Sequence, residues 1–496
     1  MANAEAAPAS EYRFRLGHWL LVAVCCYFIA LKLIFSFSAF PIADEAYYWM
    51  WGRHPQLSYF DHPPLQGWLQ GLSYHLFGRS LFALRWMSVA LFAATVWIFW
   101  LVARRIGGSN PRGIFWRTVL VYLASPLFGF FGSVVFNDYL LVFLLIASGY
   151  LFFCYFADVE TTGRGRLRDL FGAAVLLGLA GLTKYNGAYL GLAVAGAVFT
   201  RPKLRPLLRH WPLYTAGAIT VLMQCPVLIW NMQQNFASFR FHLVERNASG
   251  FTGLNPNGML AVALDQTGML SPFMIPVIVG LFVRRSASPF EGVGKTIAIW
   301  AFWLSSLTFL YIANYSWVLW WWNIAAFVLV LPFAGKHINR ILLALHAVWG
   351  LLLNTVLVLS FTIAPVTTAA GLPQIMEADT VFGWEAIVAA VREAEAQYRP
   401  DFLATNRYQS ASQLGFALDD PDVTAISKRP DQFDYWFDSS AHQGQNAVLL
   451  VDNTDDTESY RLAFETVTKI RDIDIERFGR PVKHYQLYFG EGYRGP

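Results

Sequence analysis

The sequence predicts an all-α polytopic membrane domain of about eleven transmembrane helices, followed by a small α/β soluble domain. Three observations carry that prediction. Hydrophobic residues make up 56% of the 496-residue chain and charged residues only 14%, a balance foreign to soluble globular proteins. Long apolar runs recur at roughly the 20-residue length that a helix needs to cross a hydrocarbon core. Lys and Arg gather in short clusters between those runs, as topology signals do, rather than on one basic face. With a formal charge of only +4, this distribution argues against nucleic acid and for membrane lipids as surroundings.

The polar N-terminal segment carries Arg13 and Arg15 and runs into an apolar stretch without a small-residue cleavage site, so an uncleaved first span is expected at 17–40. A polar, aromatic-rich stretch, 41–80, follows it outside. The second span, 81–103, ends inside at Arg104 and Arg105; the third, 118–136, returns outward to Asp138; the fourth, 139–157, comes back to Arg164, Arg166 and Arg168. Residues 170–200 are bounded by basic loops on both sides, so they must cross an even number of times. They are too few for two full spans, which predicts a short hairpin whose tip at Lys184, Tyr185 and Asn186 is sunk below the outer surface. Spans at 211–230, 259–283, 296–313, 319–335 and 341–361 complete the set, with Arg284, Arg285, Lys295, Lys336 and Arg340 inside and the C-terminus outside. Beyond Pro365 the composition turns polar. Strand-like DFLATN, AVLLVDN and 466–475 alternate with helical GWEAIVAAVREAEAQY and QSASQLGFAL, dividing the chain into 1–364 and 365–496. Cys25, Cys26, Cys154 and Cys225 lie in apolar segments with no metal-binding or redox spacing.

Charges near a membrane are costly and mark candidate functional sites. Asp44 and Glu45, in DEAYYW, lie just past the first span. Asp61 and His62, in YFDHPPL, share the same outer stretch, and Asp138 opens the fourth span from outside. Each Asp also has the position of a helix N-cap, and that reading stays open residue by residue. Three carboxylates on one membrane face, beside aromatic residues and reached from different spans, are harder to explain as caps alone. Lys184 at a sunken hairpin tip needs an anion, such as a phosphate, unless it snorkels. Arg240, His242, Glu245 and Arg246 put charge on an outer loop against the positive-inside pattern, which phosphate binding would explain; ordinary loop charges balanced by Glu245 are the alternative.

In order and spacing, DEAYYW, YFDHPPL, FND, LTKY, and PVLIWN with SFRFHLVER resemble the bacterial branch of glycosyltransferase family 39. That group is similar to the dolichyl-phosphate-mannose protein mannosyltransferases, the aminoarabinose transferases that modify lipid A and the rhizobial lipopolysaccharide galacturonosyltransferases. The likeness covers roughly the first eight spans and extends more loosely from Gly383 through RYQSASQLGFALDDP and FDYWFD. It implies a GT-C fold and an inverting displacement from a polyprenyl-phosphate sugar onto lipid A or another envelope glycolipid. The bacterial inner membrane would hold the enzyme, with active site and soluble domain on its periplasmic side. The resemblance assigns catalysis to Asp44, secondarily Glu45, and Asp138, while Lys184, Arg240 and Arg246 would neutralise the donor phosphate. A divalent metal ion is a candidate cofactor, on Asp61, His242 and Glu245; His62 stands where the aminoarabinose enzymes have Lys. The alternative is a transporter or flippase for a lipid-linked sugar. Polar groups clustered on one side, without an internal repeat, favour the enzyme.

Overall fold

The computed structural model describes residues 6–247, 250, 251, 253–371, 377–452 and 459–495. Helices dominate up to Thr362 and the first strand begins at Phe402. Among the described residues, six helices are long and apolar enough to cross a membrane: Trp19–Ser38, Leu81–Ile106, Asn137–Thr162, Trp211–Gln233, Pro289–Ile312 and Arg340–Thr362. The pair Pro256–Leu270 and Pro272–Val283, bent by 87°, makes up to seven. The expected count of about eleven also included four segments that the fold shortens or breaks. These are Pro111–Ala124, the two arms Leu167–Thr183 and Ala188–Thr200, and the pair Ile324–Val328 and Leu331–His337. Local chemistry sets several of the starts. Asn110, Asn255 and Ser288 each accept the backbone N–H three residues on, and a proline holds the first helical position after each.

The hairpin at 167–200 is short, as its sequence requires. Leu167–Thr183 has 17 residues, about 25 Å at 1.5 Å per residue, less than the roughly 30 Å of a hydrocarbon core. Its tip, with Lys184 buried, therefore lies within the protein.

Between the first two long helices the chain forms two shorter ones, Ala43–Arg53 and Leu65–Phe77. The first is aromatic on every side, and Tyr47, Tyr48, Trp49, Met50 and Trp51 are all buried, as a helix without a polar face must be. It approaches its neighbour backbone to backbone at two glycines: a Cβ on Gly71 would stand 2.7 Å from the Gly52 carbonyl oxygen.

The C-terminal part holds five strands: β1 (Phe402–Thr405), β2 (Thr424–Ala425), β3 (Ala447–Asp452), β4 (Phe464–Arg477) and β5 (Arg480–Tyr493). They form one sheet in the order β2-β1-β3-β5-β4. Strand β1 runs parallel to β2 and β3, and β5 pairs antiparallel with β3 and β4. The apolar run AVLLVD makes β3 a fully buried central strand. The three strands expected from DFLATN, AVLLVDN and 466–475 are present, as are helices Trp384–Tyr398 and Tyr408–Leu418. Strands β2 and β5 were not expected; β2 is two residues long, and β5 takes its shape from pairing with β4.

Helix Tyr408–Leu418 packs directly on Ala43–Arg53. Trp49 meets Phe416 edge to face at 5.4 Å, Phe40 stacks on Trp384 at 5.1 Å, and Gln413 Nε2 donates to the Pro41 carbonyl at 2.9 Å. Helix Tyr408–Leu418 of the C-terminal part thus covers one side of the aromatic helix.

A side chain at the glycine contact would force the two short helices apart. Gly52→Leu is expected to lower the thermal unfolding midpoint in detergent, by the roughly 1–3 kcal/mol of an overpacked site or more. Gly217→Leu, where nothing lies within 4 Å of an added Cβ, should leave the midpoint unchanged.

Candidate active site

The site is organised by a buried ion pair. Glu45, in the first turn of Ala43–Arg53, is fully buried and accepts from Arg85 Nε at 2.8 Å and from Arg85 Nη2. Its oxygens also accept the Ile42 N–H at 3.0 Å and the Val135 N–H at 2.8 Å. Arg85 Nη1 in turn donates to the Ala39 carbonyl at 2.6 Å and the Phe35 carbonyl at 3.3 Å, at the end of the first span, where a cation suits the helix dipole. Four segments therefore meet at one pair: the end of the first span, the short helix, the Leu81–Ile106 helix and the chain just before Asp138. The expectation of Glu45 as a second catalytic carboxylate is corrected here, because both of its oxygens are engaged in holding the backbone together.

Asp44, one residue earlier, is turned to a different environment. Ile42 rather than Asp44 is the N-cap, so the capping alternative falls away, and Tyr408 Oη donates to Asp44 Oδ1 at 3.2 Å. The Asp44 carboxyl is raised to about 6, by burial first and then by the charges of Glu377 and Asp61, against Tyr408 and Arg429. Asp61 lies beside it, accepting from Tyr47 Oη at 2.7 Å and facing Arg429 at 3.7 Å. It does not cap the Leu65–Phe77 helix, whose N-cap is Pro64. Tyr48 stands among Asp44, Asp138 and Asp61, and burial together with these three charges raises its phenol well above the ordinary range. The three carboxylates expected on one face are thus brought around one tyrosine.

The cations come from the other side. Lys184 Nζ lies 2.9 and 3.0 Å from the two oxygens of Asp138, both residues buried. The snorkelling and capping alternatives for these two residues give way to a single ion pair. Arg246 lies with its guanidinium 4.0 Å from the Trp322 ring centroid, and burial lowers it to about 10. His242 Nε2 bonds the Asp61 carbonyl at 2.7 Å, and its ring stacks 6.1 Å from His62. Burial lowers His242 to about 4 and His62 well below its ordinary value, so both rings are neutral at pH 7.

The residues weighed for a metal do not fit one. Asp61 is engaged by Tyr47 and Arg429, His242 by a carbonyl, and Glu245 is exposed. Among the described residues no group of three or more His, Cys, Asp or Glu could hold an ion. Arg240 is exposed and its charge acts on Tyr435 of the C-terminal part, whereas Arg246 belongs to the site.

Sequence reasoning missed Arg85, Tyr48, Tyr408, Glu377 and Arg429. Arg85 lies in the middle of an apolar run, and that unpaired in-span cation was a usable signal. Tyr408 and Arg429 reach Asp44 and Asp61 from more than 350 residues away in sequence, and no local pattern announces them.

Residues 61–230 match the family model described as dolichyl-phosphate-mannose-protein mannosyltransferase. The chain is 27% identical to lipid A galacturonosyltransferase RgtD of Rhizobium johnstonii, over 47% of this chain and 46% of that protein. It is also 27% identical to an undecaprenyl phosphate-alpha-4-amino-4-deoxy-L-arabinose arabinosyl transferase of Pseudomonas savastanoi pv. phaseolicola, over 49% and 46%. The chain spans about half the length of the curated relatives it matches. Its fold is similar to that of ArnT from Cupriavidus metallidurans. In the apo state the TM-score is 0.59 with 14% identity, covering 96% of this chain and 98% of that one; bound to undecaprenyl phosphate, it is 0.57 with 15%, covering 95% and 97%. The architecture is the GT-C membrane fold. Within that class, the resemblance to glycosyltransferase family 39 lies in the matched segment, residues 61–230.

Breaking a buried pair strands the remaining charge at a cost of roughly 3–5 kcal/mol. Arg85→Met is therefore expected to lower the thermal unfolding midpoint sharply, and Arg85→Met with Glu45→Met to recover a large part of the loss. A double variant no more stable than the single one would show that the backbone bonds of Glu45, not the pair, carry the anchor.

Proposed function

We propose that this protein transfers a sugar from a polyprenyl phosphate to lipid A or another envelope glycolipid, with inversion, at the outer face of the bacterial inner membrane. The observation that carries this reading is one cluster that joins a carboxylate of raised pKa, Asp44, with the buried cations Lys184 and Arg246. The similarity to a lipid A galacturonosyltransferase and an aminoarabinose transferase, and the undecaprenyl phosphate bound to ArnT, support the choice of substrates.

In the proposed step the acceptor oxygen attacks the anomeric carbon of the donor sugar and passes its proton to Asp44. The bond from that carbon to the phosphate oxygen breaks, and its electron pair leaves with polyprenyl phosphate. Lys184 and Arg246 stabilise the charge growing on the phosphate. Asp138 acts as a positioning residue, holding the Lys184 ammonium at the hairpin tip until the phosphate shares it. Asp61 orients Tyr47 and Arg429 and adds to the field that keeps the Asp44 pKa high. No metal enters the step. A flippase would favour a site near the membrane midplane between repeats, and the one-sided cluster speaks against it. Residues 1–364 would form the transferring domain and 365–496 a soluble domain on the periplasmic side. The basic loops at Arg104, Arg164 and Arg201 support that orientation.

Asp44→Asn is expected to lose roughly 10²- to 10⁴-fold in transfer rate, the usual worth of a general base, with an unchanged unfolding midpoint. Transfer from purified undecaprenyl-phosphate sugar to lipid A reads this directly. The base works only when ionised, so the wild-type rate should rise with pH through about 6 and then level. Near-normal turnover of Asp44→Asn, or a profile flat between pH 5 and 7, would remove Asp44 from the chemistry. For orientation, a reporter fused after Gly371 should be active on the periplasmic side, and cytoplasmic activity would reverse the assignment.

A further inference from the structure

We infer that the turn of the β4–β5 hairpin dips into the lipid surface at which the first and last membrane spans end, with the Phe478 ring among the acyl chains. The inference does not depend on the reaction assigned to the site. Strands β4 and β5, of 14 residues each, are joined by Phe478 and Gly479 alone. The φ angles of these two residues are 52° and 70°, and positive φ at both central residues is the geometry of the tight hairpin turn in which Asn-Gly is the usual pair. A bulky residue in that conformation is an outlier. Packing does not explain it, because Phe478 is 81% exposed.

Exposure of this kind otherwise belongs to the membrane part of the chain. Among the described residues, Leu462 and Phe478 are the exposed large apolar side chains beyond Ile363, and all others lie at or before it, Ile34, Phe37 and Leu359 on the spans among them. A lone apolar residue on a soluble surface is ordinary, so the place of the turn decides what Phe478 meets.

The hairpin is longer than the strand beside it. Strand β3 ends at Asp452, opposite Tyr485, whereas β4 and β5 go on pairing from Asp474 with His484 to Arg477 with Arg480. This overhang, 480–484 on β5, is roughly 17 Å long at about 3.4 Å per residue. Its contacts lead back to the membrane helices. Arg477 holds its guanidinium 4.8 Å from the Phe382 ring centroid, and Ile475 packs where a Cβ on Gly383 would stand. Trp384, next in the chain, stacks on Phe40 just past the end of the first span. Lys483 Nζ lies 3.8 Å from Asp379, in the turn Ala378–Val381 that packs on the last span, Arg340–Thr362. The two spans end side by side, with Phe35 meeting Phe361 edge to face at 6.0 Å.

An exposed ring held beside those ends meets lipid. The charged side chains around the turn, Glu476, Arg477 and Arg480, are exposed and of both signs. The attraction therefore comes from the ring, while the arginine head groups stay at the level of the lipid head groups, as long cationic side chains do beside apolar surface. Insertion gives the C-terminal part a second hold on the membrane, besides the packing of Tyr408–Leu418 on the aromatic helix.

The test places a photoreactive benzoylphenylalanine at position 478 of the full-length protein, reconstituted in vesicles of phosphatidylethanolamine and phosphatidylglycerol. The same probe at position 462 is the control, because Leu462 is also exposed but precedes β4, roughly 40 Å from the turn along a strand of that length. After illumination, mass spectrometry should find adducts on acyl-chain carbons at 478. Their yield should exceed that at 462 about tenfold or more, the order by which burying a Phe ring favours an apolar phase. A second measurement follows amide exchange over 476–481 in nanodiscs of the same lipids. Exchange should be about tenfold slower in wild type than in Phe478→Asn. Asn suits positive φ, so this variant should not lower the unfolding midpoint in detergent. Equal lipid yields at the two positions, or equal exchange in wild type and Phe478→Asn, overturns the insertion. Adducts at 478 with protein alone would make the turn a protein contact and overturn it as well.

Discussion

A carboxylate and a guanidinium taken fully out of water have only each other and nearby backbone groups to replace their hydration. Glu45 and Arg85 meet that demand by recruiting six backbone partners, from the end of the first span and the turn after it and from the chain at Val135. The rest of the site depends on this. The same pair that closes the first span also fixes the first turn of the aromatic helix, and so the direction of Asp44. It holds the chain at Val135 as well, two residues before the helix that presents Asp138. Both ends of the site, the carboxylate end and the Lys184 end, are thereby referenced to one buried point.

Around that point the charges are separated by origin. The acidic groups Asp44 and Asp61 sit on the segment between the first two spans, the cations Lys184 and Arg246 on the hairpin tip and a later loop, and Arg429 on the soluble part. Each wall by itself would be unstable, because like charges in a poorly solvated space repel one another. Their assembly is favourable only when the walls meet, or when a substrate of opposite charge enters. This explains why Asp44 is kept near the pH at which a carboxylate can take up a proton and release it again. It also gives the C-terminal part a role beyond coverage: through Tyr408 it touches Asp44, and through Arg429 it touches Asp61.

Much of this was legible residue by residue. The apolar runs, the basic loops and the even-crossing hairpin identified the helices and the depth of Lys184, because hydrophobic length and charge bias act locally along the chain. Asp44, Asp61, Asp138, Lys184 and Arg246 were found because charges beside a membrane are expensive enough to be conspicuous. Glu45 was misjudged for the same reason. A buried charge is equally conspicuous whether it serves chemistry or architecture, and only its partners tell the two apart. Arg240 and Glu245 were taken in with Arg246 as neighbours in sequence, yet the short helix and turn of that loop send them to the surface.

What the sequence determined by itself was therefore the membrane-embedded class, the positions of most helices, the α/β character of the C-terminal part and the list of costly charges. Each of these follows from composition and short-range periodicity. The tertiary structure alone decided which charges are paired: Glu45 with Arg85, Lys184 with Asp138, and Asp44 left beside Tyr408. It also decided that four expected spans are shortened or broken, and that Tyr408 and Arg429, more than 350 residues further along, reach Asp44 and Asp61. The physical reason is that pairing in a low-dielectric interior depends on separations of a few ångströms between atoms far apart in the chain, and spacing along a sequence carries no such distance.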